Sequence, residues 1–247
     1  MKSSSPIQFR LVPIAELSSV EKSEMFALLT QHFSGVTTEQ FARDLGEKDL
    51  ALLLEQDKTL VGFSTLQAYV ATFEGELVDV IYSGDTIVTP EAWGTTALPH
   101  AWVAGVDALR AKLPQKKCFW LLLTSGFRTY RFLPVFWREF FPRFDLVMPE
   151  VMRRLLKQLA EERFGAQFNS KTGIVRFSHP QRLRPGLQEV PEGRKHNPHV
   201  SFFLSRNPGH LHGDELVCLT ELCPANLTRA GRRMMTPPIH AALDVSS

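Results

Sequence analysis

The stretch Glu76–Ala101, ELVDVIYSGDTIVTPEAWGTTALPHA, decides how the rest of the chain is read. Val78, Val80, Tyr82, Thr86 and Val88 are β-branched or aromatic and predict a strand that stops at Pro90. Gly84 interrupts that run, and a glycine in such a place marks a bulge or a close backbone approach. Beyond Pro90 the chain passes through Trp93-Gly94-Thr95-Thr96 into a helical repeat of Leu98, Trp102, Val106 and Leu109. A strand feeding a small-residue turn at a helix N-terminus aims backbone N–H groups and the positive end of the helix at one point. That point suits an anion or a polarised carbonyl.

Upstream of this junction, Met1–Ser5 reads as disordered, and Ile7, Phe9 and Leu11 alternate as a short strand would. Met25, Leu28, Leu29 and His32 recur at helical spacing and predict a helix over Ser19–Phe33. Thr37-Thr38-Glu39-Gln40 fits a capping box, which opens a second helix ending near Gly46. Leu50–Glu55 and Leu60–Phe73 read as strands joined at Gln56-Asp57-Lys58, and Glu74-Gly75 turns the chain into the opening strand. Three successive antiparallel strands are therefore expected, the third ending at the junction.

Downstream, a helix over Pro99–Leu113 leads to Lys117–Thr124, whose run Cys118–Leu123 is apolar throughout, as in a strand buried on both faces. Ser125-Gly126 breaks that strand, and Phe127–Phe141 is aromatic and basic, helical from about Leu133. Pro149–Phe164 reads as another helix and 165–198 as an extended loop with one short strand at Ile174–Phe177. Val200–Leu204 and Glu215–Leu222 read as the strands of a final hairpin, and Pro237-Pro238 stops any helix in the tail.

The composition is that of an ordinary globular protein: 44% of the 247 residues are hydrophobic and 22% charged. A net charge of +2 gives no reason to expect nucleic acid or a membrane surface as partner. Cys118, Cys218 and Cys223 are odd in number and form no CxxC pair, which fits a reducing cytosol and argues against a cysteine-built zinc site. The N-terminus lacks the apolar core of a signal peptide, and no run of about 18 apolar residues occurs. A soluble cytoplasmic protein without a membrane span is expected.

The order of elements, with Val88-Thr89-Pro90-Glu91-Ala92-Trp93-Gly94-Thr95-Thr96-Ala97-Leu98 at its centre, resembles the GNAT superfamily of N-acyltransferases. In that family a strand ends in V-x-P-E-x and continues into R/Q-x-x-G-x-G/A, whose amides hold the pyrophosphate of acyl-CoA. Val88, Pro90, Glu91 and Gly94 match; Trp93 stands in place of Arg or Gln, Thr96 in place of the first Gly, and Leu98 in place of the second Gly or Ala. The resemblance implies an α/β (α+β) fold with a mixed, mainly antiparallel central sheet flanked by helices and a C-terminal β-hairpin. It implies one acyltransferase domain over residues 1–222, with an inserted helix and loop at about 145–198 and a tail over 223–247. The donor implied is acyl-CoA or an acyl-phosphopantetheine. Side chains at Thr96 and Leu98 crowd a diphosphate, so a donor on an acyl carrier protein is an alternative to free CoA.

Transfer of an acyl group from a thioester to an amine needs a polarised carbonyl, a deprotonated nucleophile and a proton for the leaving thiolate. A bulge at Ser83-Gly84-Asp85 frees a backbone donor for the first role. Asp79 and Asp85 sit on an otherwise apolar strand, and Asp85, nearer the junction, is the preferred base. The resembling family often uses a tyrosine on the helix after the buried strand as the acid. Phe136 or Trp137 falls there, which leaves Tyr130 as the substitute and Tyr82 as a second choice. His210, in the loop NPGHLHGDEL, is an alternative base. His212, Asp214 and Glu215 complete no known zinc spacing with it, so no metal is expected.

Val88, Trp93, Gly94, Thr95, Thr96 and Ala97 are the candidate donor-binding residues at the junction, joined by Ser125, Arg128 and Arg131 after the buried strand. The arginines suit a pantetheine phosphate or the face of an acidic carrier protein. Phe127, Phe132, Phe136, Trp137, Phe140 and Phe141, interleaved with them, suit a core or a channel for a fatty acyl chain. The acceptor class is an amine on a small molecule or a peptide, attacked directly, because no Cys or Ser lies in a nucleophile motif. The alternative is a catalytically silent relative that binds a thioester or a protein partner.

Overall fold

The computed structural model describes residues 5–235; the expectations for the extreme N-terminus, residues 1–4, and for Pro237-Pro238 lie outside them. The chain begins with β1 (Gln8–Pro13) and α1 (Ser19–His32). A full capping box starts α1: Ser18 Oγ accepts from the Glu21 amide and Glu21 Oε2 accepts from the Ser18 amide. After β2 (Phe33–Ser34), α2 (Thr38–Gly46) opens on Thr37, whose Oγ1 accepts from the Gln40 amide. Then come β3 (Leu50–Gln56), β4 (Thr59–Phe73) and β5 (Glu76–Val88). The two links between them, Asp57-Lys58 and Glu74-Gly75, have all four residues at positive φ (51° and 63°, then 51° and 83°). Two-residue turns of that hand match the strand twist.

The chain continues through α3 (Ala97–Arg110), β6 (Cys118–Thr124), α4 (Phe127–Tyr130), α5 (Phe132–Phe136) and α6 (Glu150–Phe164). There follow β7 (Phe168–Asn169), β8 (Ile174–Val175), β9 (Arg182–Leu183), α7 (Pro198–Arg206), β10 (Glu215–Glu221) and α8 (Arg229–Met234). Eight strands form one mixed, mainly antiparallel sheet in the order β1-β3-β4-β5-β6-β10-β8-β7, in which β5 and β6 are the parallel pair. Helices cover both faces. On one, Cys118, Trp120 and Leu122 of β6 meet α3 and α5, with Trp102 and Trp120 rings 4.0 Å apart. On the other, Phe119, Leu121 and Leu123 meet Leu155, Leu156 and Leu159 of α6. Every residue of β6 is buried, as its apolar run predicts.

Three expectations need correction. Val200–Leu204 is not a strand but lies inside α7, so β10 has no hairpin partner there and pairs instead with β6 and β8. Asn197 caps that helix, its side chain accepting from the His199 and Val200 amides, and Pro198 sits in the first turn. The aromatic segment is not one helix from Leu133 to Phe141: helix begins at Phe127 and ends at Phe136, and Trp137 and Phe141 make bridges to Leu227 and Leu219. The stretch 165–198 is more than a loop, because β7 and β8 extend the main sheet and β9 pairs with β2. Beyond Leu222, Asn226 binds across to segment 138–139 and α8 packs beside α3 and α5. No helix among the described residues is long and apolar enough to cross a membrane.

Candidate functional site

The parallel pair β5–β6 holds register from Asp79↔Cys118 to Ser83↔Leu122 and then separates. Beyond Ser83, β5 stays with β4, pairing Ile87 with Phe63 and Val88 with Gly62, while Thr124 of β6 pairs with Leu216 of β10. The sheet therefore opens along the second half of β5 and leaves that edge of the strand without a neighbouring strand among the described residues. A cavity of about 1360 Å³ occupies the opening.

A bulge stands where the strands part. Leu66 pairs with Ser83 and Ser64 with Thr86, so Gly84 and Asp85 together oppose Thr65. Glycine is required there for space: a Cβ on Gly84 would lie 3.0 Å from both Lys48 Cε and Thr65 Oγ1. Lys48 follows α2 and reaches over the bulge, with Nζ donating to Asp44 O at 3.0 Å and lying 5.4 Å from the centre of the Tyr82 ring. Arg163 of α6 stacks on that ring at 3.6 Å. Asp85 and Glu215, the first residue of β10, both line the cavity. Burial pushes the Asp85 carboxyl up, against the pull of the Lys48 ammonium. Burial also pushes Glu215 up to about 8, with the Asp85 charge adding to it. Burial drives Lys48 down, opposed first by Asp85.

The other end of the opening is basic. A short turn, Pro90–Ala92, leads to Trp93, whose indole Nε1 donates to Val88 O at 2.8 Å. Gly94 has φ of 86°, and Thr95 Oγ1 donates to Ala92 O, which folds the turn back under the start of α3. Thr96 supplies no side-chain cap to that helix. Arg128 lies flat on Trp93 at 4.1 Å and donates to Leu187 O at 2.6 Å. Arg131 and Arg194 line the same cavity. Burial lowers both Arg128 and Arg131, and no carboxylate is among the charges acting on either.

A roof crosses the cavity. Phe33 and Ser34 of β2 pair with Leu183 and Arg182 of β9, and Arg184 donates to His32 O from its amide and to Thr30 O from its side chain. Pro180 O approaches Gly35 so closely that a Cβ there would sit 2.9 Å away. The segment running from β9 to Leu187 thus bridges α1 on one side and Arg128 on the other.

Of the residues read from sequence, Gly84, Asp85, Val88, Trp93, Gly94, Thr95, Ser125, Arg128, Arg131 and His210 line this one cavity. His210 is partly buried, with Nδ1 3.0 Å from Asn207 O, and burial lowers it. Thr96 and Ala97 are not among the lining residues. Ser83 is fully buried, its hydroxyl accepts from Trp120 Nε1 at 2.8 Å, and it is not among the lining residues. Tyr130 also belongs to the core: it is fully buried among Phe140, Phe202 and Phe203 and its hydroxyl donates to Pro142 O. Tyr82, the second choice of acid, does line the cavity, but burial drives its phenol up and away from easy ionisation. Asp79 sits at the closed end, accepting from the Gln115 amide. Asp214 pairs with Arg176 at 2.8 Å rather than joining the histidines.

Sequence reasoning missed Lys48, Arg163 and Arg194 and gave Glu215 no role at the junction. No local pattern marks them, since each reaches the cavity from a different element.

No family model and no curated protein sequence matches this chain. Among solved structures it is similar over part of its length to an Enterococcus faecalis protein described as a probable N-acyltransferase. That match has 17% identity, covers 55% of this chain and 33% of the other, and has a TM-score of 0.43. The chain thus spans about a third of that structure's length. It is also similar to an Escherichia coli GNAT family N-acetyltransferase in complex with CoA, at 15% identity, 53% and 71% coverage and a TM-score of 0.39. A Trypanosoma brucei acetyltransferase matches at 16% identity, with 58% and 100% coverage and a TM-score of 0.40.

Proposed function

We propose that the chain is an N-acyltransferase of the GNAT type, which moves an acyl group from a CoA thioester to an amine. The observation that carries the reading is the opening of the parallel pair β5–β6 at the bulge of Gly84 and Asp85. An extended donor arm bearing amide groups can lie along the unpaired edge of β5 as an added strand would. Its thioester then falls at the bulge, and its phosphates fall toward Arg128, Arg131 and Arg194. Trp93 replaces a cation in the resembling motif, and Arg128 stacked on it returns one to the same place. The cavity exceeds the roughly 300–1,000 Å³ of ordinary small-ligand sites, which suits a donor of this size.

In this reading the acceptor amine enters beside Asp85 and Glu215. Asp85 takes the proton that the amine sheds as the C–N bond forms, and its raised affinity for protons brings it closer to the base strength that task needs.

The test supplies acyl-CoAs of increasing chain length, and the same acyl groups on a carrier protein at equal concentration, with a panel of amines. Thiol release and amide mass are followed together. Turnover with CoA donors, lowered about 10²-fold or more in Asp85→Asn with donor binding intact, is expected. Exclusive use of the carrier protein rejects the donor assignment, unchanged turnover in Asp85→Asn rejects the base, and no amide from any thioester rejects the reading.

A further inference from the structure

Resting on that reading, we propose that Lys48 is a catalytic residue that donates a proton to the departing thiolate at the Gly84 bulge. The reaction needs such a donor, and the two tyrosines are poorly placed for it. Tyr130 is in the core with its hydroxyl held by Pro142 O, and Tyr82 is covered by cations on its ring. Lys48 is one of the two side chains, with Thr65, that close on the bulge. A Cβ on Gly84 would stand 3.0 Å from its Cε and 3.7 Å from its Nζ, so the ammonium lies directly over the bulge. It is held there at one point by Asp44 O, and a lysine ammonium has three N–H groups, so donors remain for a substrate.

The groups facing Lys48 come from four directions: Asp44 on α2, Glu47 just after it, Asp85 on β5 and Arg163 on α6. Burial, opposed by Asp85 and helped by Arg163, lowers its affinity for protons, which makes the ammonium a readier proton donor than an ordinary lysine. The step balances. The amine nitrogen bonds to the carbonyl carbon, the C–S bond breaks with its electron pair going to sulfur, and Lys48 protonates that sulfur. The proton shed by the amine goes to Asp85. Solvent in the cleft then takes the proton from Asp85 and restores one to Lys48, and both groups are reset.

The experiment compares wild type, Lys48→Met and Lys48→Arg for donor binding, kcat, KM and the pH profile of kcat, with two acyl donors. One is the alkyl thioester of CoA. The other is an aryl thioester, whose acidic thiol leaves without protonation. In Lys48→Met, donor affinity should stay within a few-fold while kcat with acyl-CoA falls about 10²-fold. The fall should shrink to a few-fold with the aryl donor, and the basic limb of the kcat profile should disappear. Lys48→Arg should keep the charge yet give little of the rate, since a guanidinium hardly yields its proton. Three results overturn the proposal: kcat in Lys48→Met within three-fold of wild type; an equal loss with both donors; or intact-mass detection of an acyl group on Lys48, which makes it an acceptor. A wild type that neither binds nor turns over any thioester removes the reading itself and this inference with it. Wild-type turnover indifferent to Lys48 removes the inference alone.

Discussion

Glu215→Gln should stabilise the protein, and by an amount that depends on pH. Burial and the neighbouring Asp85 push the Glu215 carboxyl from an ordinary 4.5 up to about 8. The folded state therefore prefers the neutral acid. The stability this gives is fully present below pH 4.5 and is lost as pH rises toward and through 8. At pH 7 the unfolded chain has released the proton and the folded chain has kept it, a difference on the order of 3 kcal/mol. Glutamine has nearly the same shape and no charge, so it escapes that penalty. Urea unfolding of wild type and variant at pH 5, 7 and 9 reads the effect. The gap should be under about 1 kcal/mol at pH 5, grow by roughly 2–3 kcal/mol by pH 7, and flatten above 8. In thermal unfolding at pH 7 this corresponds to a rise in Tm of roughly 6–12 °C. Parallel stability profiles for the two proteins across this range would refute the reasoning, because they would mean that Glu215 ionises as freely in the folded chain as in the unfolded one.

Two further substitutions probe the frame of the cleft. Gly84→Ala puts a methyl group 3.0 Å from Lys48 Cε and Thr65 Oγ1, and it should cost about 1–2 kcal/mol in stability and displace the lysine. Turnover of an acyl thioester should drop more than about tenfold, and a variant with wild-type kcat would show that the lysine's place over the bulge is of no account. Asn226→Ala should cost about 3 kcal/mol in thermal unfolding. The Asn226 amide accepts from the Glu139 N–H and donates to Glu139 O, Thr220 Oγ1 and Glu221 O, and alanine leaves several of these unmet in a buried place. A loss below about 1 kcal/mol would mean that water replaces the amide with ease.

What could be read from sequence was local. The bulge followed from one glycine in a β-branched run, and the hairpin turns from the short polar breaks between apolar strand patterns. The burial of β6 followed from an unbroken apolar stretch. Val200–Leu204 failed because its apolar run suits a strand and a helix alike, and the deciding signal was the Asn197-Pro198 pair before it. Tyr130 failed for a different reason. An aromatic segment rich in arginine does not reveal which ring faces the core, and here Pro142 O and three phenylalanines claim this one. Lys48, Arg163 and Glu215 were out of reach because they line one cavity with Asp85 only after segments far apart in the chain have packed. Their coincidence is a property of the tertiary structure and leaves no trace in spacing.

The small β2–β9 pair also sets an order of events. Ser34 Oγ donates to Arg182 O across 148 positions of sequence. A ribosome adding roughly 5–20 residues per second needs roughly 7–30 s to make that interval. Once Val88 has been made, β3, β4 and β5 can zip together through their two short turns, while the groove beside β5 stands uncovered. Its cover arrives late, carried by a strand of two residues, so a nascent chain passes through a stage in which these three strands are paired and the groove beside them is open.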